Sequence, residues 1–312
     1  TKDKKISATS IFFESSSYKI NSSGFIDYEA LKNKAEEFCP RLIICGGSAY
    51  PCDWNYKAFR EIADSVGAYL MCDMAHISGL IAAGKHNNPF EYADVVTSTT
   101  HKTLKGPRSG MIFIKRKDDM VNKINNAVFP GLQGGPHNNQ IGALAVQLKL
   151  ANTPEFKEYI TMVKKNAKTL ENTFRRMGYT MSADGTSNHL LLLDLKPQDI
   201  TGSKLEKVCE AVNISINKNT VIGDNNPMNP GGVRLGTSAM TTRGMGEEDF
   251  IQIAHFIHRC VKIAQKIQDI KGRKLVDFCQ GLEDNSEIIE LRDEVSTFAE
   301  KAEFYDEPEI FS

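Results

Sequence analysis

The sequence predicts an α/β fold with a mainly parallel sheet that carries one antiparallel strand, followed by a smaller α+β region. Three observations lead there. Short apolar runs bounded by glycine or turn residues alternate with segments of helical period in the first half. One strand follows its predecessor too closely for a parallel crossover. The second half changes pattern to short strands and long amphipathic helices.

"RLIICGG" (41–47) and "GAYLMCDM" (67–74) read as strands, with "WNYKAFREIADSV" in helical period between them. "ADVVTSTT" (93–100) repeats the pattern after the turn-rich crossover "AHISGLIAAG". "GMIFIKR" (110–116) begins about ten residues later, short of the dozen or so that a parallel return needs, so it is expected to run antiparallel. The opening segment from Ile6 also has a strand pattern. A glycine loop, "FPGLQGGPHNN", feeds an apolar helix, and "PEFKEYITMVKKNAKTLENTFRRMG" reads as a long amphipathic helix ended by Gly178. Beyond it lie "HLLLLDL", "GSKLEKVCEAVN", "ISINKN" and "GGVRLGT", then long helices over 247–268 and 286–305. A domain change is expected near residue 150, with 1–150 as part of a large cofactor-binding domain and 151–312 as a small C-terminal one.

Composition narrows the function classes. With 312 residues, 41% hydrophobic and 25% charged, the chain has material for a large core. Its 38 basic and 39 acidic residues leave a net charge of −1, so no global field draws it to nucleic acid or an anionic membrane. No apolar run approaches the roughly 18–20 residues of a bilayer span. Neither nucleic acid nor membrane is expected as a partner. Seven cysteines, odd in number and without paired metal spacing, suit a reducing compartment. A cytoplasmic location is expected, with a mitochondrial one left open because the chain starts without Met.

In open α/β sheets ligands bind beyond the carboxyl ends of strands. Asp73 ends "YLMCD", His76 follows it, and Lys102 follows "VVTSTTH"; positions 73 and 102 are separated by close to one β-crossover-β unit of roughly 30 residues. An amine and a carboxylate at neighbouring strand ends suit pyridoxal phosphate. The lysine condenses with the aldehyde, and the carboxylate keeps the ring nitrogen protonated so that the ring accepts electrons. Thr99 is placed to hydrogen-bond the lysine. Each residue also has a plainer reading: Lys102 as a surface lysine, Asp73 as a helix N-cap, His76 as a satisfied buried histidine. "CDMAH" lacks a fourth ligand for a metal site. The glycines of "GLQGGPHNNQ" before a helix suit phosphate, or a simple turn. Arg234 in a strand suits a carboxylate, or an edge salt bridge. His255 and His258 share a helix face, as metal ligands or as surface.

"DMAHISGLIAAG", "VVTSTTHKTLKGPRSG", "FPGLQGGPHNN" and "VRLGTSAMTTRG", in this order, resemble serine hydroxymethyltransferase over nearly the whole chain. "ISATSIFFES" and "DFIQIAHFIHR" resemble the eukaryotic type. The resemblance implies a fold of the aspartate aminotransferase type and pyridoxal phosphate as cofactor. It implies transfer of a one-carbon unit between serine and tetrahydrofolate, giving glycine and methylenetetrahydrofolate, in a homodimer or higher homo-oligomer. By the same resemblance Lys102 is the cofactor lysine with His101 beside it, and Asp73 the ring-nitrogen partner. His76 and Ser48 are the groups near the phenolate oxygen, and Thr99 the threonine by the lysine. Arg234 binds the amino-acid carboxylate, Asn219 contacts folate, and Gly134 and Gly135 form a loop that reaches the neighbouring subunit's phosphate. Ser238 stands where the family usually has Pro, and Ser109 where it commonly has Ala or Gly. Family members begin well over a hundred residues earlier, so the resemblance implies an N-terminal part not present in this chain, and residues 1–312 alone are expected to be incomplete for activity. A threonine aldolase or aminotransferase of the same fold, and a non-catalytic scaffold, are the alternatives; "NKN" with "GLQGGPH" opposes the first, and the joint presence of Lys102, Asp73 and Arg234 the second.

Overall fold

Strands form where the apolar runs alternate, and a computed structural model describes them over residues 7–116 and 119–302. The opening segment is a correction: its described part forms a single helical turn, α1 (Thr9–Phe12), not a strand, and none of that turn's residues is buried. Without an apolar face to bury, the short run has nothing to hold it in a sheet. Helix α2 (Tyr28–Phe38) starts where Asp27 Oδ1 accepts the Ala30 N–H.

β1 (Leu42–Cys45), β2 (Tyr69–Asp73) and β3 (Val95–Thr99) pair in parallel, and β4 (Gly110–Ile114) closes the edge antiparallel to β3. The short link after β3 therefore returned the chain as its length required. Between β1 and β2, helix α3 (Tyr56–Ser65), capped by Asn55, packs Phe59, Ile62 and Ala63 against Ile43, Cys45, Leu70 and Cys72. Alternate residues of the same strands face away, and Leu42, Ile44 and Tyr69 stay exposed. Between β2 and β3 the turn-rich crossover contains one short helix, α4 (Ser78–Ala82).

After β4 come α5 (Met120–Asn126) and α6 (Asn138–Ala151). α6 is apolar as read, yet only Ala151 is buried, so Ile141 and Val146 lie on the surface. α7 (Pro154–Arg176), capped by Thr153, joins the halves. Its Phe156 and Ile160 pack with Leu80 and Leu104, while Leu170 and Phe174 enter the second core. The packing thus changes along α7.

The second sheet is antiparallel, in the order β5 (Thr180–Met181), β6 (Leu190–Asp194), β8 (Gly232–Gly236), β7 (Asn217–Asn219). Helix α8 (Gly202–Ala211) precedes β7; α9 (Ser238–Thr242), α10 (Glu247–Lys271), α11 (Leu275–Cys279) and α12 (Ser286–Glu300) follow β8. The last expected residues of that final helix, 303–305, lie outside the described residues. Phe250, Ala254, Ile257 and Val261 of α10 pack into the same core as Leu191 and Leu193. The halves are stitched near their strand ends: Ser187 N donates to the Pro51 carbonyl at 2.9 Å and Asn188 Nδ2 to the Tyr50 carbonyl at 2.9 Å.

Candidate active site

The carboxyl ends of β2 and β3 lie side by side, with Asp73 paired in register with Thr97. Asp73 Oδ1 accepts the Ala75 N–H at 2.9 Å, a local turn that aims the chain toward His76. It does not cap α4, whose preceding residue is Ile77. The loop after β1 passes directly over this strand end. A Cβ at Gly46 would lie 2.3 Å from the Asp73 carbonyl oxygen, and Gly46 has φ +134°, so only glycine fits there.

Lys102 Nζ donates to Thr99 Oγ1 at 2.9 Å, as the strand-end reading predicted. The turn that carries the lysine is braced from three directions. Thr103 Oγ1 donates to the His76 carbonyl at 2.9 Å and accepts the Gly79 N–H at 3.0 Å. Gln147 Nε2 of α6 donates to the Leu104 carbonyl at 2.7 Å. A side chain at Gly79 would collide with the Thr103 carbonyl, so α4 can approach the lysine turn only through glycine. Lys105, three residues further on, is turned elsewhere: its Nζ lies 4.4 Å from the centre of the Tyr159 ring.

The charges of Arg234 and Lys102 both act on His76. Burial, then the Arg234 and Lys102 charges, pull the His76 pKa down to about 4. His101, beside Lys102, is also lowered, by desolvation and then by Arg108 and Lys102. The His76 ring stacks on His189, with centroids 5.8 Å apart and planes at 25°. His189 is buried, and desolvation lowers its pKa to about 3. Sequence reading passed over His189; the only signal was a histidine opening the apolar strand "HLLLLDL".

Arg234 reaches this crevice from the second sheet. Its Nη1 donates to the Ser48 carbonyl at 2.7 Å and its Nη2 to Asn217 Oδ1 at 3.0 Å. The first bond ties Ser48 to the site through its backbone. Arg234 is in the central strand β8, not in an edge ion pair. Asn219 is two residues from Asn217 on β7, hence on the same face, and its Nδ2 donates to the Thr220 carbonyl. Gly134 and Gly135 are exposed with open space around them, and the structure does not bring them to the crevice. His258 Nδ1 pairs with the Tyr179 hydroxyl at 2.8 Å, and His255 is exposed.

Three buried polar atoms next to these residues, Thr97 Oγ1, His101 Nδ1 and His189 Nδ1, have no protein partner. Unpaired polar atoms beside an amine, a carboxylate and a guanidinium fit a polar, anionic ligand such as pyridoxal phosphate with an amino acid. A cavity of about 840 Å³ between β4 and the segment 128–133 is lined by Thr97, Ser109 and Phe129 but by none of Lys102, Asp73 or Arg234.

The serine hydroxymethyltransferase family model matches residues 1–257, well over half of the chain. This chain belongs to the serine hydroxymethyltransferase family. It is 54% identical over 310 residues to serine hydroxymethyltransferase 4 of Arabidopsis thaliana, covering 95% of this chain and 66% of that relative. It is 49% identical to the serine hydroxymethyltransferase of Plasmodium falciparum, covering 96% and 69%. It is also 49% identical to the cytosolic serine hydroxymethyltransferase of Saccharomyces cerevisiae, covering 93% and 65%. The chain thus spans about two thirds of the length of these curated relatives. As members of this family fold, it combines a mainly parallel sheet with a second, antiparallel one.

Proposed function

We propose that this protein transfers a hydroxymethyl unit between serine and tetrahydrofolate, giving glycine and methylenetetrahydrofolate, with pyridoxal phosphate as cofactor. The observation that carries the reading is the convergence on one crevice of Lys102, hydrogen-bonded to Thr99, with Asp73 at the adjacent strand end and Arg234 from the second sheet. Pyridoxal phosphate, when bound, supplies an aldehyde carbon and a ring that accepts electrons.

Each residue then has a task set by its chemistry. Lys102 presents the amine that holds the aldehyde carbon, and Thr99 keeps that amine in place. Asp73 holds a proton on the ring nitrogen. His76 stays neutral at pH 7, so with Ser48 it contacts the phenolate oxygen without adding a cation beside Arg234. His101 flanks the lysine. Arg234 takes the substrate carboxylate in its planar fork. Asn219, on the Arg234 face, contacts the folate. Gly134 and Gly135, free of the crevice in one chain, reach the phosphate bound by a neighbouring copy in a homodimer. A cytoplasmic location is supported by relatives named as cytosolic.

The test is serine cleavage by the full-length protein with and without tetrahydrofolate, alongside the visible absorbance of added pyridoxal phosphate. Folate-dependent glycine formation is expected. Folate-independent cleavage of threonine at a higher rate than serine would make the protein an aldolase, and the absence of any lysine-bound cofactor band would make it a scaffold.

A further inference from the structure

We propose that Asn217 is a positioning residue, which holds Arg234 in the orientation that binds an amino-acid carboxylate while leaving its charge uncommitted. The proposal rests on the reading of Arg234 as the carboxylate site.

Asn217 and Arg234 are direct partners in the antiparallel pair of β7 and β8, so their side chains share one face of the sheet. Arg234 Nη2 donates to Asn217 Oδ1 at 3.0 Å, and Nη1 donates to the Ser48 carbonyl at 2.7 Å. A guanidinium only donates, so the amide must turn its oxygen toward it. Of five N–H groups on the guanidinium, these two bonds leave three, enough for a two-pronged carboxylate.

The choice of acceptors matters as much as their number. Both are neutral, and among the described residues Arg234 forms no salt bridge. An aspartate at 217 would satisfy the same geometry but would pair with the guanidinium and compete with the incoming carboxylate. An apolar residue would leave one side of a flexible side chain unheld, and ordering it would then be charged against binding. The amide orients without competing.

Strand β7 does not depend on Asn217 for its own place. Lys218 donates from its backbone N and from Nζ to the two oxygens of Glu206 on α8, each at 3.0 Å. A change at 217 can therefore alter Arg234 without displacing the strand.

The experiment compares cofactor-loaded wild type, Asn217→Ala, Asn217→Asp and Arg234→Ala by calorimetric binding of L-serine, L-serinamide, which lacks the carboxylate, and tetrahydrofolate. Asn217→Asp is expected to weaken serine about tenfold or more, equivalent to about 1.4 kcal/mol, and Asn217→Ala to weaken it less. Serinamide and tetrahydrofolate should keep their wild-type affinities in both. Serine binding unchanged in both Asn217 variants but lost in Arg234→Ala would overturn the role of Asn217 and leave Arg234 as read. Unchanged serine binding in Arg234→Ala would remove the carboxylate reading itself. Equal losses for all three ligands would show a folding defect and likewise end the proposal.

Discussion

Thr103 and His76 are joined by a hydrogen bond from the threonine hydroxyl to the histidine carbonyl at 2.9 Å, and the same hydroxyl accepts the Gly79 N–H. The turn that carries Lys102 and the turn that carries His76 are therefore one mechanical unit. Thr103→Val keeps the shape but strands a buried N–H and a carbonyl. Urea unfolding should show a loss of about 2 kcal/mol, with weaker pyridoxal phosphate binding. A loss below the error of the measurement would mean that the two turns are held by other contacts.

Lys102 and Lys105 are separable by their surroundings. Lys102 Nζ is bonded to Thr99 Oγ1, whereas Lys105 Nζ lies over the Tyr159 ring. Lys102→Ala is expected to abolish the absorbance of lysine-bound pyridoxal phosphate and Lys105→Ala to retain it. The reverse pattern, read in a spectrophotometer, would move the cofactor lysine three residues along.

Asp73→Asn preserves the oxygen that accepts the Ala75 N–H, so stability should change by no more than about 0.5 kcal/mol. The neutral amide no longer stabilises a protonated ring nitrogen. Turnover should fall more than about tenfold, a barrier increase above ~1.4 kcal/mol. Turnover closer to wild type than that would exclude Asp73 as the ring-nitrogen partner.

Two histidines make stability depend on pH in a stated direction. Folding lowers the pKa of His76 to about 4 and of His189 to about 3 from an ordinary 6.5, chiefly by burial. Between pH 6.5 and 4 the unfolded chain binds more protons than the folded one. The stability of the neutral imidazoles is thus fully present above pH 6.5 and declines as the pH falls. The slope approaches about 1.4 kcal/mol per pH unit for a fully buried histidine, and less for the partly exposed His76. Unfolding curves collected from pH 7.5 down to 5 should be shallower in pH dependence for His189→Gln by close to one proton. An identical slope in the variant would show that His189 titrates normally in the folded protein.

Periodicity alone placed Asp73 and Lys102 at neighbouring strand ends, because alternation along a strand and the length of a crossover are local properties of a chain. The antiparallel return at Gly110 was legible for the same reason. Local pattern misled at α1, where an apolar run found no sheet to join; the apolar helix α6 formed as read, and only its burial was not encoded locally, since its apolar residues stay largely on the surface. What tertiary structure alone decided is the company these residues keep. Arg234 meets a carbonyl 186 positions away, at Ser48, and Asn217 becomes its partner only through the register of β7 on β8. His189 meets His76 only because the segment 187–188 is stitched to Tyr50 and Pro51 across the two halves. Hydrogen bonds and ring contacts act over a few ångströms, so they are fixed by how two sheets are docked. No periodicity within either sheet encodes that docking.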